Sequence, residues 1–165
     1  MRIAWFAGRS TADAHPLDDT RSLLDELARR DHVVELYNET RAHHFVWQQW
    51  RQPFEACVYE LPDSRASAFV WPYLLHYPGI VRLRSGRLRT SRRRWLRHHR
   101  RTADDRTEAL FAGSDALRIP LTAARLAVVG DAYAAHAVQE ACPWARIRHA
   151  AIGFAVPVAA AYSPQ

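Results

Sequence analysis

The chain contains no lysine: all 23 of its basic residues are Arg. That excludes the usual phosphate-binding P-loop, whose Lys reaches the terminal phosphates. Cysteine is almost missing, with Cys57 inside an apolar run, Cys142 ahead of a proline, and no C-x-x-C pair. Two separated thiols exclude a disulfide scaffold and read as reduced residues of a cytosolic protein. Glycine is scarce at six residues, and only Gly8 stands in the loop after the first apolar run. A G-x-G-x-x-G turn, which lets backbone N–H groups close on a pyrophosphate, is therefore absent, and tight dinucleotide binding is not expected. No apolar run approaches the roughly 18 residues of a membrane span. The stretch from Met1 to Phe6 meets Gly8 and Arg9 too early to be a signal-peptide core.

What is present is a chain of 165 residues, 48% of them apolar, long enough to bury one substantial core. A disordered tail, a disulfide mini-protein and a two-domain enzyme all fit this composition poorly. The formal charge of +6 is unevenly placed. Residues 82–101 carry ten Arg and no acid, whereas elsewhere 13 Arg are outnumbered by 17 Asp and Glu. The protein is a mildly acidic domain with one basic segment, a distribution unlike that of a general nucleic-acid binder. Abundant Ala and Arg together also point to GC-rich codons, so some of the Arg reflects composition alone.

Ile3 to Ala7 is a short apolar run of the kind a strand buried on both faces shows. Leu17 to Arg30 predicts a helix with Leu23, Leu24 and Leu27 at helical spacing, acids at its start and Arg at its end, which suits the helix dipole. Strands are expected at His32–Tyr37, Ala56–Leu61, Gly79–Leu83, Leu126–Val129 and Ile147–Ile152. Helices are expected before Pro53, over Ala66–His76 despite Pro72, within Arg87–Leu110, and over Ala132–Ala141. Alternating strands and helices predict an α/β, Rossmann-like, doubly wound parallel sheet of about six strands, built by right-handed crossovers. Ligands gather at the carboxyl ends of such strands, so the loops at Gly8–Pro16, Pro62–Arg65, Arg84–Thr90 and Gly130–Asp131 are the ones to inspect. A single domain over residues 1–155 and the start of a linker over 156–165 complete the organisation.

Other chemistries find little support. His43-His44 and His98-His99 are adjacent pairs, which on a helix point about 100° apart and make no chelating face, so no metal site is expected. No serine lies in a G-x-S-x-G elbow. In the basic segment, Arg92, Arg93, Arg94, Arg97, Arg100 and Arg101 surround most of a helix, with Leu88, Trp95 and Leu96 as a narrow apolar stripe. The plain reading is a solvated helix. The functional readings are contact with an anionic membrane, with Trp95 at headgroup level, or, more weakly, with nucleic-acid phosphates. Phe45, Trp47 and Trp50 are expected to pack a helix onto the sheet, with a sugar-stacking pocket as the alternative.

The run Ser67-Ala68-Phe69-Val70-Trp71-Pro72-Tyr73-Leu74-Leu75-His76-Tyr77-Pro78-Gly79-Ile80-Val81-Arg82-Leu83 resembles the F-[IV]-[WY]-P-Y-L-x-x-Y-P-G-[LIV]-V-x-L segment in the N-terminal domain of bacterial family 4 glycosyltransferases. These enzymes have the two-domain GT-B fold. The opening Arg2-Ile3-Ala4-Trp5-Phe6, the Leu23-Leu24 helix, Pro143-Trp144-Ala145-Arg146-Ile147 and Gly153 extend the similarity over nearly the whole chain. The resemblance implies an acceptor-side domain, inactive alone, whose nucleotide-sugar donor is a substrate held mainly by a C-terminal domain. It implies no cofactor, a sugar or lipid-linked acceptor, and a cytoplasmic setting that can be peripheral to the inner membrane.

The loops that face the cleft depart from the family pattern. The glycine of its first loop falls on His15, although Asp18 is kept; Leu-His-Asp after the fourth strand reads Leu83-Arg84-Ser85; and His-[NS] after the fifth reads Gly130-Asp131. Cleft candidates are thus Gly8, Arg9, His15, Asp18, Arg84, Ser85, Arg87, Gly130 and Asp131, with the catalytic residue unassigned. Arg84 and Arg87 suit a carboxylate or phosphate on the acceptor. The loss of the Asp is better tolerated by retaining than by inverting chemistry, since a retaining reaction depends mainly on positioning and charge stabilisation. A non-catalytic basic module that docks on anionic membrane or nucleic acid is the reading from a different class, with Arg92, Arg93, Arg94, Trp95 and Arg97 as its contacts.

Overall fold

A computed structural model of the chain describes residues 1–8, 19–84, 86–98 and 116–150. Six strands, β1 (Arg2–Phe6), β2 (Val33–Tyr37), β3 (Ala56–Leu61), β4 (Ile80–Leu83), β5 (Leu126–Val129) and β6 (Ile147–His149), pair in the order β2-β1-β3-β4-β5-β6. Every pairing is parallel. The architecture is the expected α/β, Rossmann-like one. Between the strands run α1 (Asp19–Arg29), α2 (Ala42–Arg51), α3 (Val70–His76), α4 (Arg89–His98), α5 (Arg118–Ala123) and α6 (Ala132–Ala141), with a single 3-10 turn at Arg65–Ser67. Pro72 and Pro120 are each the third residue of their helix. In the first turn the N–H that proline lacks would have had no partner, so the helices tolerate them.

The side-chain alternation of the strands sorts the core into two layers. Ile3, Trp5 and Val58 pack under Leu23, Leu24 and Leu27 of α1. Ala4, Phe6, Tyr59, Leu61, Val81, Leu83, Ala127 and Val129 face the opposite way, toward Phe45 of α2, Trp71 and Leu74 of α3, Leu117, and Val138 of α6. The chain leaves β1 in one direction and then steps from β2 across to β3 and onward, so right-handed crossovers put α1 on one face and the later helices on the other. Aromatic rings dominate the second layer: Phe6 stacks on Tyr37 and Tyr59 and meets Phe45 edge-on at a centroid distance of 4.9 Å.

Several expectations need correction. Of the three aromatics only Phe45 packs α2 onto the sheet; Trp47 and Trp50 are exposed, because at about 100° per residue they lie about 200° and about 140° round the helix from Phe45, away from the inner side that Ala42 and Phe45 form. Trp95 is half-buried and stacks on Trp71 at 5.7 Å, so its ring belongs to the core and does not stand free at headgroup level. Arg82 is a buried strand residue and no part of a basic surface. β6 ends at His149, before Ala150, and the rest of the expected strand to Ile152, the helix expected beyond His98, the linker, Arg9, His15, Asp18, Ser85, Arg100, Arg101 and Gly153 lie outside the described residues.

The turn Tyr77-Pro78-Gly79 sits at the amino end of β4, where its residues are needed for packing. Tyr59 donates its hydroxyl hydrogen to the Tyr77 carbonyl at 2.6 Å. A Cβ on Gly79 would overlap the Cys57 carbonyl of β3. Gly79→Ala is therefore expected to lower the unfolding free energy by about 2 kcal/mol, read from urea denaturation. Burial raises the Cys57 thiol and the Tyr59 and Tyr73 phenols above their ordinary values. The unfolded chain then loses those protons first, so stability holds below the free thiol range of about pH 8.5 and falls as pH rises through it and through the phenol range near about 10. Urea midpoints measured across that window check the slope, and Tyr59→Phe should flatten its upper part while costing about 1 kcal/mol at neutral pH.

Candidate functional site

The strand order reverses between β1 and β3, and the carboxyl ends of the strands around that point are where a doubly wound sheet receives ligands. There Gly8 follows β1, and a Cβ on it would lie 2.9 Å from the backbone of Ala66 in the 3-10 turn. Gly8 is required so that the first loop can pass the loop after β3; its bareness serves chain against chain. The loop after β3 is tied down in turn. Asp63 accepts from the N–H groups of Thr90 (2.7 Å) and Ser91 (3.2 Å), capping α4 from outside the helix. Ser67 and the Trp71 indole both bond to the buried Ser91 hydroxyl, at 3.0 and 2.7 Å. The foot of the basic helix is thus fastened to the crevice.

On the α1 side of the same edge lies a buried polar cluster. Glu60 of β3 and Arg82 of β4 are cross-strand neighbours, 7% and 5% exposed. Arg82 Nη1 donates to Glu60 Oε1 at 2.6 Å and to Thr20 Oγ1 at 3.0 Å. Thr20, in the first turn of α1, donates its hydroxyl hydrogen to the same carboxylate oxygen at 2.7 Å. The charges are buried but paired and hydrogen-bonded, which is the condition under which buried ions persist. Held this way by a guanidinium and a hydroxyl, the Glu60 carboxylate is a structural group. Arg84, just past β4 and exposed, donates to Thr20 at 3.3 Å and is the member of the cluster that reaches solution.

Two strands further along, the loop after β4 meets α6. A Cβ on Gly86 would stand 3.4 Å from the Ala137 side chain and 3.9 Å from Ala134, so the loop carrying Arg84 and Arg87 lies on the first turns of that helix. Asp131 caps α6, accepting from the Ala134 N–H at 2.6 Å, which commits its carboxylate to the helix end. Tyr133, one residue into α6 from its start, is 78% exposed. Gly130 has open space where a side chain would go, so nothing in the packing demands a glycine there. The edge formed by β4 and β5 therefore offers two exposed guanidinium groups, Arg84 and Arg87, and a free phenol ring.

Of the expected contacts on α4, Arg93, Arg94 and Arg97 are exposed and Arg92 is half-buried. Glu60, Thr20 and Tyr133 escape the sequence reading. A signal for the first does exist: Tyr59-Glu60-Leu61 and Val81-Arg82-Leu83 place opposite charges at the penultimate position of two consecutive apolar strands. Thr20 and Tyr133 carry no such mark. In comparisons with known proteins, no family model matches the chain, and no curated protein or solved structure matches it either.

Removing one partner of the buried pair leaves the other charged and unmatched. Glu60→Gln is expected to destabilise the fold by about 3 kcal/mol. The double replacement Glu60→Leu with Arg82→Met should cost less than Glu60→Gln alone, as judged by thermal and urea unfolding of the three proteins.

Proposed function

We propose that this chain is the acceptor-side domain of a glycosyltransferase, working with a nucleotide-sugar donor held by a second lobe. The sequence resemblance to family 4 enzymes motivates the reading, and one structural observation supports it: Arg84, Arg87 and Tyr133 share the carboxyl edge of β4 and β5. An aromatic face suits the apolar face of a sugar ring, and two guanidinium groups suit a phosphate or carboxylate attached to it. The acceptor class is accordingly an acidic or phosphorylated sugar, which includes the head of a lipid-linked one. This chain supplies binding and orientation of the acceptor. Asp131 gives one carboxylate oxygen to the cap of α6 and Glu60 is paired with Arg82, so the reading favours transfer with retention and leaves activation of the hydroxyl to groups beyond this edge.

The test is a titration of the isotopically labelled protein with glucose 6-phosphate, glucuronate and glucose, followed by amide NMR. The charged sugars are expected to shift the Gly86 and Gly130 amides, and the uncharged one to do so weakly. Arg84→Ala should weaken that binding about tenfold, the loss of one charge-assisted hydrogen bond, and Tyr133→Ala by a comparable factor. Shifts confined to the opposite edge, around Tyr77 and Gly79, or no response to any of the three sugars, count against the proposal.

A further inference from the structure

Most helices on the second face of the sheet lack acids, α6 with its Glu140 being the exception. No Asp or Glu occurs in α2, α3, α4 or α5, while α4 alone holds Arg89, Arg92, Arg93, Arg94 and Arg97. By contrast α1, on the other face, contains Asp19, Asp25 and Glu26. The crossovers β2 to β3, β3 to β4 and β4 to β5 set α2, α3 and α4 side by side in this layer. Among their described residues, the outer surfaces of these helices are a field with no acid of their own.

Within that field α2 turns its largest apolar residues outward. Trp47 and Trp50 are 63% and 78% exposed, and Val46, together with Leu75 of α3, is exposed as well. The two indoles meet edge-on at 5.9 Å, and the Arg51 guanidinium lies 6.0 Å from the Trp47 ring. A folded domain gains nothing by leaving such rings in water. Tryptophan with neighbouring Arg on the outer face of a helix is the composition of an interfacial anchor: the ring enters the headgroup–acyl boundary, its N–H stays wet, and the guanidinium meets lipid phosphate.

We propose that the outer face of α2, through Trp47 and Trp50, inserts into an anionic lipid surface, with Arg93, Arg94 and Arg97 of α4 as the electrostatic support. The aromatic anchor is thus on a different helix from the basic segment that draws attention in the sequence. Nucleic acid is less favoured because Val46, one helical turn before Trp50 and exposed like it, offers no face for a base to stack on. This docking surface is independent of the sugar-binding reading, since the two share no residue.

The intact protein is floated with vesicles of phosphatidylcholine alone and of phosphatidylcholine mixed with phosphatidylglycerol in equal parts. Retention is expected on the mixed vesicles, with salt weakening it. Trp47→Ala with Trp50→Ala, both surface changes whose folding is verified by circular dichroism, should reduce vesicle affinity at least about tenfold. Arg93→Gln with Arg94→Gln and Arg97→Gln should remove the preference for the anionic lipid. Binding unchanged by loss of both indoles overturns the proposal, as does failure to float with either vesicle. So does a concentration-dependent dimer, seen by sedimentation, that the Trp double variant abolishes, or single-stranded oligonucleotide binding that depends on the two rings in the absence of lipid binding.

Discussion

A parallel strand cannot reach its neighbour through a tight turn, and that constraint organises everything else in this protein. Each step from one strand to the next needs a crossover, and the crossover has one favoured hand. Because the chain reverses direction across the sheet only once, after β2, among the described residues α1 covers one face and the other helices gather on the opposite one. The aromatic core, the shared edge where Gly8, Arg84 and Asp131 emerge, and the row of outward helix surfaces are three results of the same rule.

The two edges of the sheet have separate duties. At the amino edge, Tyr77-Pro78-Gly79 and the Tyr59 hydroxyl seat α3 against β3 and β4, so this run of residues is explained by packing. At the carboxyl edge, the same kind of close contact, Gly8 against Ala66, brings two loops together, and Asp63 carries the connection on to the start of α4. The edge that would meet a ligand is thereby stiffened from below by residues that do no chemistry themselves.

Strand positions and the parallel order were legible because apolar runs of four to six residues alternated with helical spacing, a signal that rests on burial alone. Pro72 does not interrupt its helix, because it occupies a first-turn position where its missing N–H costs nothing. Side-chain direction was harder to read. Periodicity says that Phe45, Trp47 and Trp50 share a helix, but which of them faces inward depends on where α2 crosses the sheet, and only Phe45 does. Trp95 fails in the opposite sense, since its place in an Arg-rich segment suggests a surface while its ring stacks on Trp71. Thr20 acquires meaning only when α1 folds back over β3 and β4, a contact between residues 40 and 62 positions apart.

Glu60 and Arg82 also bear on how this chain can drift over generations. Either residue replaced by itself strands its partner's charge in a dry layer between α1 and the sheet, while both replaced at once restore compatibility. Point substitution offers no gentle path between those two solutions. The pair works as a ratchet: a lineage that acquires it keeps it, and with it the seating of the first helix over the third and fourth strands, whatever happens to the loops above.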